Sequence, residues 1–67
     1  MNTQEIKQNW NTLKTSIKNE WQDLTEEEIN KMEGNWDKMV DTLALKYQLT
    51  KMEAEDKLND WKAKLTH

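Results

Sequence analysis

The run Trp21-Gln22-Asp23-Leu24-Thr25-Glu26-Glu27-Glu28-Ile29 constrains this chain more than any other stretch. It closes one amphipathic helical pattern and opens the next, so a chain carrying it must turn between two helices. Thr25-Glu26-Glu27-Glu28 has the form of a capping box, in which the Thr hydroxyl accepts from the N3 amide and Glu28 reaches back to the cap amide. Leu24 before the cap and Ile29 at N4 stand where a hydrophobic staple would hold the entry angle. The three acids also lie at the positive end of the helix dipole. A triple acid raises the question of calcium. Side chains at a helix start diverge, however, and no EF-hand spacing is present, so no metal site is expected here.

A period of 3.6 residues marks four helical segments. In the first, Ile6, Trp10, Leu13, Ile17 and Trp21 recur at spacings of four, three, four and four, with Asn2 or Thr3 as the cap. The second begins at the Thr25 cap. Gly34 is the ambiguous point: as a C′ residue it would end this helix after Glu33. Yet Ile29, Met32, Trp36, Met39, Val40, Leu43 and Tyr47 stay in phase across it, so one helix over 26–47 is also permitted. A break or sharp bend at Gly34 is the favoured expectation. The last segment opens with a second capping box, Thr50-Lys51-Met52-Glu53, and carries Ala54, Leu58, Trp61 and Leu65 as its stripe.

At 67 residues the chain has room for one domain, spanning 1–67, with a small core. It has no Cys to reinforce that core, no Pro, and only Gly34 as glycine, which favours helix throughout. Mean hydropathy is −1.19, very hydrophilic for a folded domain. The net charge of −3 is unevenly spread, with seven acids against two Lys over residues 23–41. That acidic middle argues against a general nucleic-acid binder, which needs a coherent basic surface. No apolar run approaches the roughly 20 residues of a membrane span. The opening Met1-Asn2-Thr3-Gln4-Glu5 is polar and no signal peptide is visible, so the expected location is the cytoplasm.

Catalysis would have little to draw on. The one His is His67 at the C-terminal end, the one Ser is Ser16 inside a helix, and no nucleophile–base–orienter set can be assembled. One glycine forbids a glycine-rich phosphate loop. Neither an enzyme nor a cofactor is expected. The four Trp residues, with no Phe beside them, must supply most of the aromatic core volume. A base-stacking platform would also need a positive groove. Lys7, Lys14 and Lys18 line one flank of the first stripe. They either cover apolar edges with their stems or form an anion- or partner-binding strip. Leu45 and Met52 fall off their stripes and point to a partner surface.

The assembled residues resemble the CsbD-like family of small bacterial stress-associated proteins. The resemblance runs Trp10-x-x-Leu13-Lys14, Ile17-Lys18-x-x-Trp21-x-x-Leu24-Thr25, an acidic cluster, Gly34, Asp37 and Tyr47. It continues through Thr50-Lys51-x-Glu53-Ala54-Glu55 and closes at Trp61. It covers nearly the whole chain. It implies an all-α bundle of about four short helices packed as roughly orthogonal pairs, cytoplasmic, linked to general stress response, and it brings no catalytic residues. Three departures stand out: members of the family usually carry glycine near Thr15 and at the position of Gln48, and Trp36 occupies one that is usually polar.

The function expected from these observations is a small non-enzymatic stress-response protein acting through its surface on a protein partner. Trp36, Leu45 and Met52 are its candidate contacts, and self-association would also bury Leu45 and Met52. A hydrophilic protectant against osmotic or desiccation stress is the alternative. Weak nucleic-acid or membrane-surface binding through Lys7, Lys14 and Lys18 is the third reading.

Overall fold

The computed structural model describes residues 2–65, which form an all-helical bundle. Its elements are α1 (Thr3–Gln8), α2 (Trp10–Glu20), α3 (Glu26–Met32), α4 (Trp36–Tyr47) and α5 (Lys51–Lys64). His67 lies outside the described residues. Capping boxes start α1, α3 and α5: Asn2 with Glu5, Thr25 with Glu28, and Thr50 with Glu53. Asn35 caps α4, its Oδ1 accepting from the Lys38 N–H at 3.1 Å. Each such cap stabilises a helix start by about 1 kcal/mol, a material contribution in a chain with so small a core.

The first predicted segment is two helices. Asn9 leaves helical geometry at φ −105°, ψ 21°. Its side-chain Nδ2 donates to the Glu5 carbonyl at 2.9 Å, and its own backbone N–H donates to the same oxygen at 3.0 Å. An Asn side chain competing for backbone acceptors in this way loosens a helix interior. The stripe stays in phase across the kink: Ile6, Trp10, Leu13 and Ile17 are all buried.

At Gly34 the chain breaks, as expected. Glu33 and Gly34 both adopt left-handed conformations, at φ 54° and 70°. The Asn35 N–H returns to the Met32 carbonyl at 2.8 Å, and α4 then leaves in a new direction. Ile29 and Met32 keep phase with Met39, Val40 and Leu43 because both helices bury their stripes in one core. Space matters as much as φ here. A Cβ on Gly34 would sit 2.8 Å from the Lys7 Cα, 3.2 Å from the Trp10 Cβ and 3.3 Å from the Ile6 carbonyl oxygen. The α3–α4 corner therefore rests on the α1–α2 backbone, and only glycine permits the approach.

The α4–α5 turn forms without the family's glycine. Gln48 takes φ 55°, ψ 47°, and the Leu49 N–H closes back on the Ala44 carbonyl at 2.9 Å. That six-to-one bond is a Schellman ending, completed by half-buried Leu49 against the core. A left-handed Gln costs about 1 kcal/mol that glycine would not. Gln48→Gly is therefore expected to stabilise the fold by about 0.5–1 kcal/mol, read as a higher midpoint in urea melts with the slope unchanged. A lower midpoint would show that Gln48 contributes more through its side chain than its conformation costs.

The core draws on every helix and on Leu24 from the loop before α3. Ile6, Ile17, Leu24, Met32, Met39, Leu43, Ala54 and Leu58 are wholly enclosed. Among the described residues no polar or charged side chain is buried with them. Trp61, 2% exposed, fastens α5 to α2. Its indole Nε1 donates to Ser16 Oγ at 3.0 Å, and its ring packs against Trp21 with centroids 6.4 Å apart and planes tilted by 57°. Lys64 and Glu20, 2.8 Å apart, close the same seam at the surface.

Candidate interaction surface

The candidate residues do not form one site. Lys14 and Lys18 turn toward the structure itself. The Lys14 Nζ donates to Asn30 Oδ1 on α3 at 3.4 Å. The Lys18 Nζ donates to the Gln22 carbonyl at 3.2 Å and also to the Leu24 carbonyl, so it satisfies two carbonyls of the loop between α2 and α3. Lys7 lies at the Gly34 corner, and its charge helps to hold the Glu33 carboxyl below the usual carboxylate range, after the larger effect of Lys38. The flank read as a lysine strip thus faces the α3 side of the bundle, where Lys14, Thr15, Lys18, Glu26, Ile29 and Asn30 line a shallow groove. A polyanion approaching it would meet Glu26 as well as two lysines whose ammonium groups already hold oxygen acceptors.

Trp36 is half-buried at the edge of the core. The Lys62 ammonium lies 5.0 Å from the centre of its ring, a cation–π contact that joins the start of α4 to the end of α5. The unusual aromatic at this position therefore thickens the core locally and is covered by a lysine.

Among the described residues, Leu45 and Met52 are the large apolar side chains left in solvent, 83% and 75% exposed. Leu45 lies half a turn around α4 from the buried side defined by Met39, Val40 and Leu43. Met52 is in the first turn of α5. The Lys51 Nζ reaches Asp41 Oδ1 at 3.6 Å, which sets the start of α5 beside the turn of α4 that precedes Leu45. Leu45 and Met52 are thus exposed on neighbouring helices, α4 and α5, which the Lys51–Asp41 pair bridges. The off-stripe positions in the sequence were a sufficient signal for both.

The electrostatics elsewhere serve the fold. Glu28 is held below the usual carboxylate range, first by the Thr25 backbone N–H and then by Lys46, 3.2 Å away. Glu53 is lowered by the Thr50 backbone N–H, and Glu33 by Lys38 at 2.7 Å. Burial pushes the Tyr47 phenol up, and Glu20 raises Lys64. Each of these shifts leads away from neutral pH, whereas general acid–base chemistry calls for groups moved toward it. Among the described residues, no group of three His, Cys, Asp or Glu is placed to hold a metal ion. No helix among them is long and apolar enough to cross a membrane. The Trp10 indole Nε1 is enclosed with no hydrogen-bond partner, beside the Gly34 corner.

Comparison with known proteins adds relatives, two of which match this chain in length. The chain is 31% identical over 64 residues to the UPF0337 protein YjbJ of Escherichia coli K12, covering 96% of this chain and 93% of that one. It is 32% identical over 65 residues to the UPF0337 protein PA4738 of Pseudomonas aeruginosa, covering 97% and 100%. It is also 32% identical over 54 residues to the UPF0337 protein NE2439 of Nitrosomonas europaea. That match takes in 81% of this chain but 57% of the relative, so the chain spans little more than half of that protein's length. No family model and no solved structure matches the chain.

Proposed function

The chain belongs to the UPF0337 family of small bacterial proteins, and from that premise we propose that it is a non-enzymatic stress-response protein acting in the cytoplasm through its surface. The observation that carries this reading is the outer face of α4–α5. There, Leu45 and Met52 stand in solvent while the other large apolar side chains among the described residues are buried or packed against the core. Exposed apolar side chains are ordinary singly; one on each of two neighbouring helices is the protein contact proposed. The stress link is supported by the CsbD-like pattern from Trp10 to Trp61, and the absence of catalysis by the residue inventory and by pKa shifts that lead away from neutrality.

The experiment is a pull-down from stressed bacterial cells with tagged wild type and a Leu45→Lys variant, whose exposed position should leave the fold intact. We expect a protein retained by the wild type at near-equal amounts and lost at least about tenfold in the variant, which corresponds to about 1.4 kcal/mol of contact energy. If neither protein retains a partner, or both retain the same one equally, the surface reading fails.

The protectant reading keeps one specific support, the mean hydropathy of −1.19. A chain that shields others by hydration needs no fixed core, whereas this one closes its helices with capping boxes on α1, α3 and α5. Equimolar protein that fails to reduce aggregation of a dried test enzyme, relative to an inert protein, would remove it.

A further inference from the structure

We propose that α5 exchanges between two copies of this chain, each copy's α4 and α5 then joining as one continuous helix. The exchange does not depend on any contact at Leu45 or Met52. The turn that sends α5 back along α4 is held by Gln48 at φ 55°, ψ 47°, a conformation that residues other than glycine adopt at a cost. Straightening the chain there removes that cost. From Trp36 to Lys64 neither glycine nor proline interrupts a helix. A short connection under strain between two helices is the kind of hinge at which elements swap.

The register of the core side chains fits the straight form. Met39, Leu43 and Tyr47 on α4, and Ala54, Leu58 and Trp61 on α5, all pack into the core. Their successive spacings of four, four, seven, four and three are those of one uninterrupted helix, although a turn divides them. A straight helix therefore carries all six on one side. In the closed form α4 and α5 run back along each other, with Trp36 at the start of α4 under Lys62 near the end of α5. Two straight helices lying antiparallel about a two-fold axis place the α5 of each copy on the α4 of the other. Each must then face its neighbour along its whole length with one side, which is where the stripe lies. Trp61 keeps its contacts with Trp21 and Ser16, now across copies instead of within one.

Straightening gives up the Leu49–Ala44 backbone bond, the Thr50–Glu53 capping box and the Lys51–Asp41 pair. The backbone N–H groups released bond four residues back instead. The monomer therefore prevails in dilute solution, and exchange grows by mass action as the chain is concentrated. Trp61 must leave one core before it enters another, so a dimer once formed persists on dilution.

The chain has no Cys, so introduced thiols report which α5 fills which bundle. Glu20 and Lys64 meet at 2.8 Å across the α2–α5 seam, at the surface. Glu20→Cys and Lys64→Cys are made as separate variants, and circular dichroism establishes that both are folded. They are mixed, concentrated into the millimolar range in enough urea to loosen the fold, returned to dilute buffer and separated by size. The dimer fraction is treated with a short bis-maleimide, and the linked peptides are identified by mass. We expect a dimer whose link joins position 20 of one chain to position 64 of the other, and no such link in a mixture never concentrated. Adding Gln48→Gly to both variants should lower the dimer yield at least about tenfold, because glycine relaxes the turn and weakens the straight helix. Gln48→Ala keeps the cost of the turn, favours helix and should raise the yield. A mixture that returns wholly as monomer overturns the exchange. So does a dimer without the link from 20 to 64, or a Gln48→Gly yield equal to that of Gln48.

Discussion

Gly34→Ala is expected to destabilise the domain by about 2–5 kcal/mol, enough to leave much of it unfolded at room temperature. Two costs add. At φ 70° an L side chain pays about 1–2 kcal/mol for the left-handed conformation. The added Cβ would also lie 2.8 Å from the Lys7 Cα, a backbone atom that can yield only if α1 moves. Forcing a methyl into a packed corner costs about 1–3 kcal/mol more. A small domain has about 3–5 kcal/mol in all. Gln48→Gly isolates the first part, because Gln48 shares the left-handed conformation at φ 55° and its side chain is exposed. Urea melts should therefore show Gln48→Gly shifted slightly upward and Gly34→Ala strongly shifted downward. A Gly34→Ala midpoint within experimental error of wild type would mean that the α3–α4 corner does not rest on α1.

Trp61→Ala should cost about 3–5 kcal/mol, the range for deleting an enclosed Trp. Three interactions end together: burial of an indole that is 2% exposed, its contact with Trp21, and its hydrogen bond to Ser16. They join α5 to α2, elements 45 residues apart at the Trp61–Ser16 bond, so their loss frees the C-terminal helix from the N-terminal half. Far-ultraviolet circular dichroism should show reduced helix content in the absence of denaturant. Ser16→Ala separates the terms: it leaves the ring buried and removes only the acceptor, for about 1–2 kcal/mol. Equal effects from both substitutions would show that the ring itself contributes little, which the enclosed geometry does not allow.

The helices and their starts were legible in the sequence because both depend on short-range physics. The boxes at Thr25 and Thr50 need residues only three apart, and each formed as read. The stripes named most of the buried side chains, from Ile6 to Trp61, while Trp21, Trp36, Tyr47 and Leu65 on the same stripes are only half-buried. Leu45 and Met52 were legible for the complementary reason, that they miss those stripes. Asn9 was not. A stripe that stays in phase conceals a kink, and nothing in the spacing of Ile6, Trp10 and Leu13 marks the Asn side chain that causes it. Gly34 could be placed as a break, but its steric role depends on α1 lying across it, a contact between residues far apart in sequence. The same limit applies to the lysines. Spacing put Lys14 and Lys18 on one flank, while their acceptors, Asn30, Gln22 and Leu24, become neighbours only once the chain turns after Trp21. Ser16 looked like an isolated hydroxyl for the same reason; its donor comes from the other end of the molecule.

If this family member is a packed bundle that works through its surface, its indole protons report that packing without intermediaries. A two-dimensional amide NMR spectrum of the labelled chain in dilute buffer should show dispersed amides and four separate indole signals, one for each Trp. On transfer to deuterated buffer, the Trp61 indole proton, held by Ser16, should outlast that of half-buried Trp36. Collapsed amides with four overlapping indoles that exchange at once would rule out the packed bundle, and would leave a chain whose hydrophilicity, rather than its fold, is what it brings to the cell.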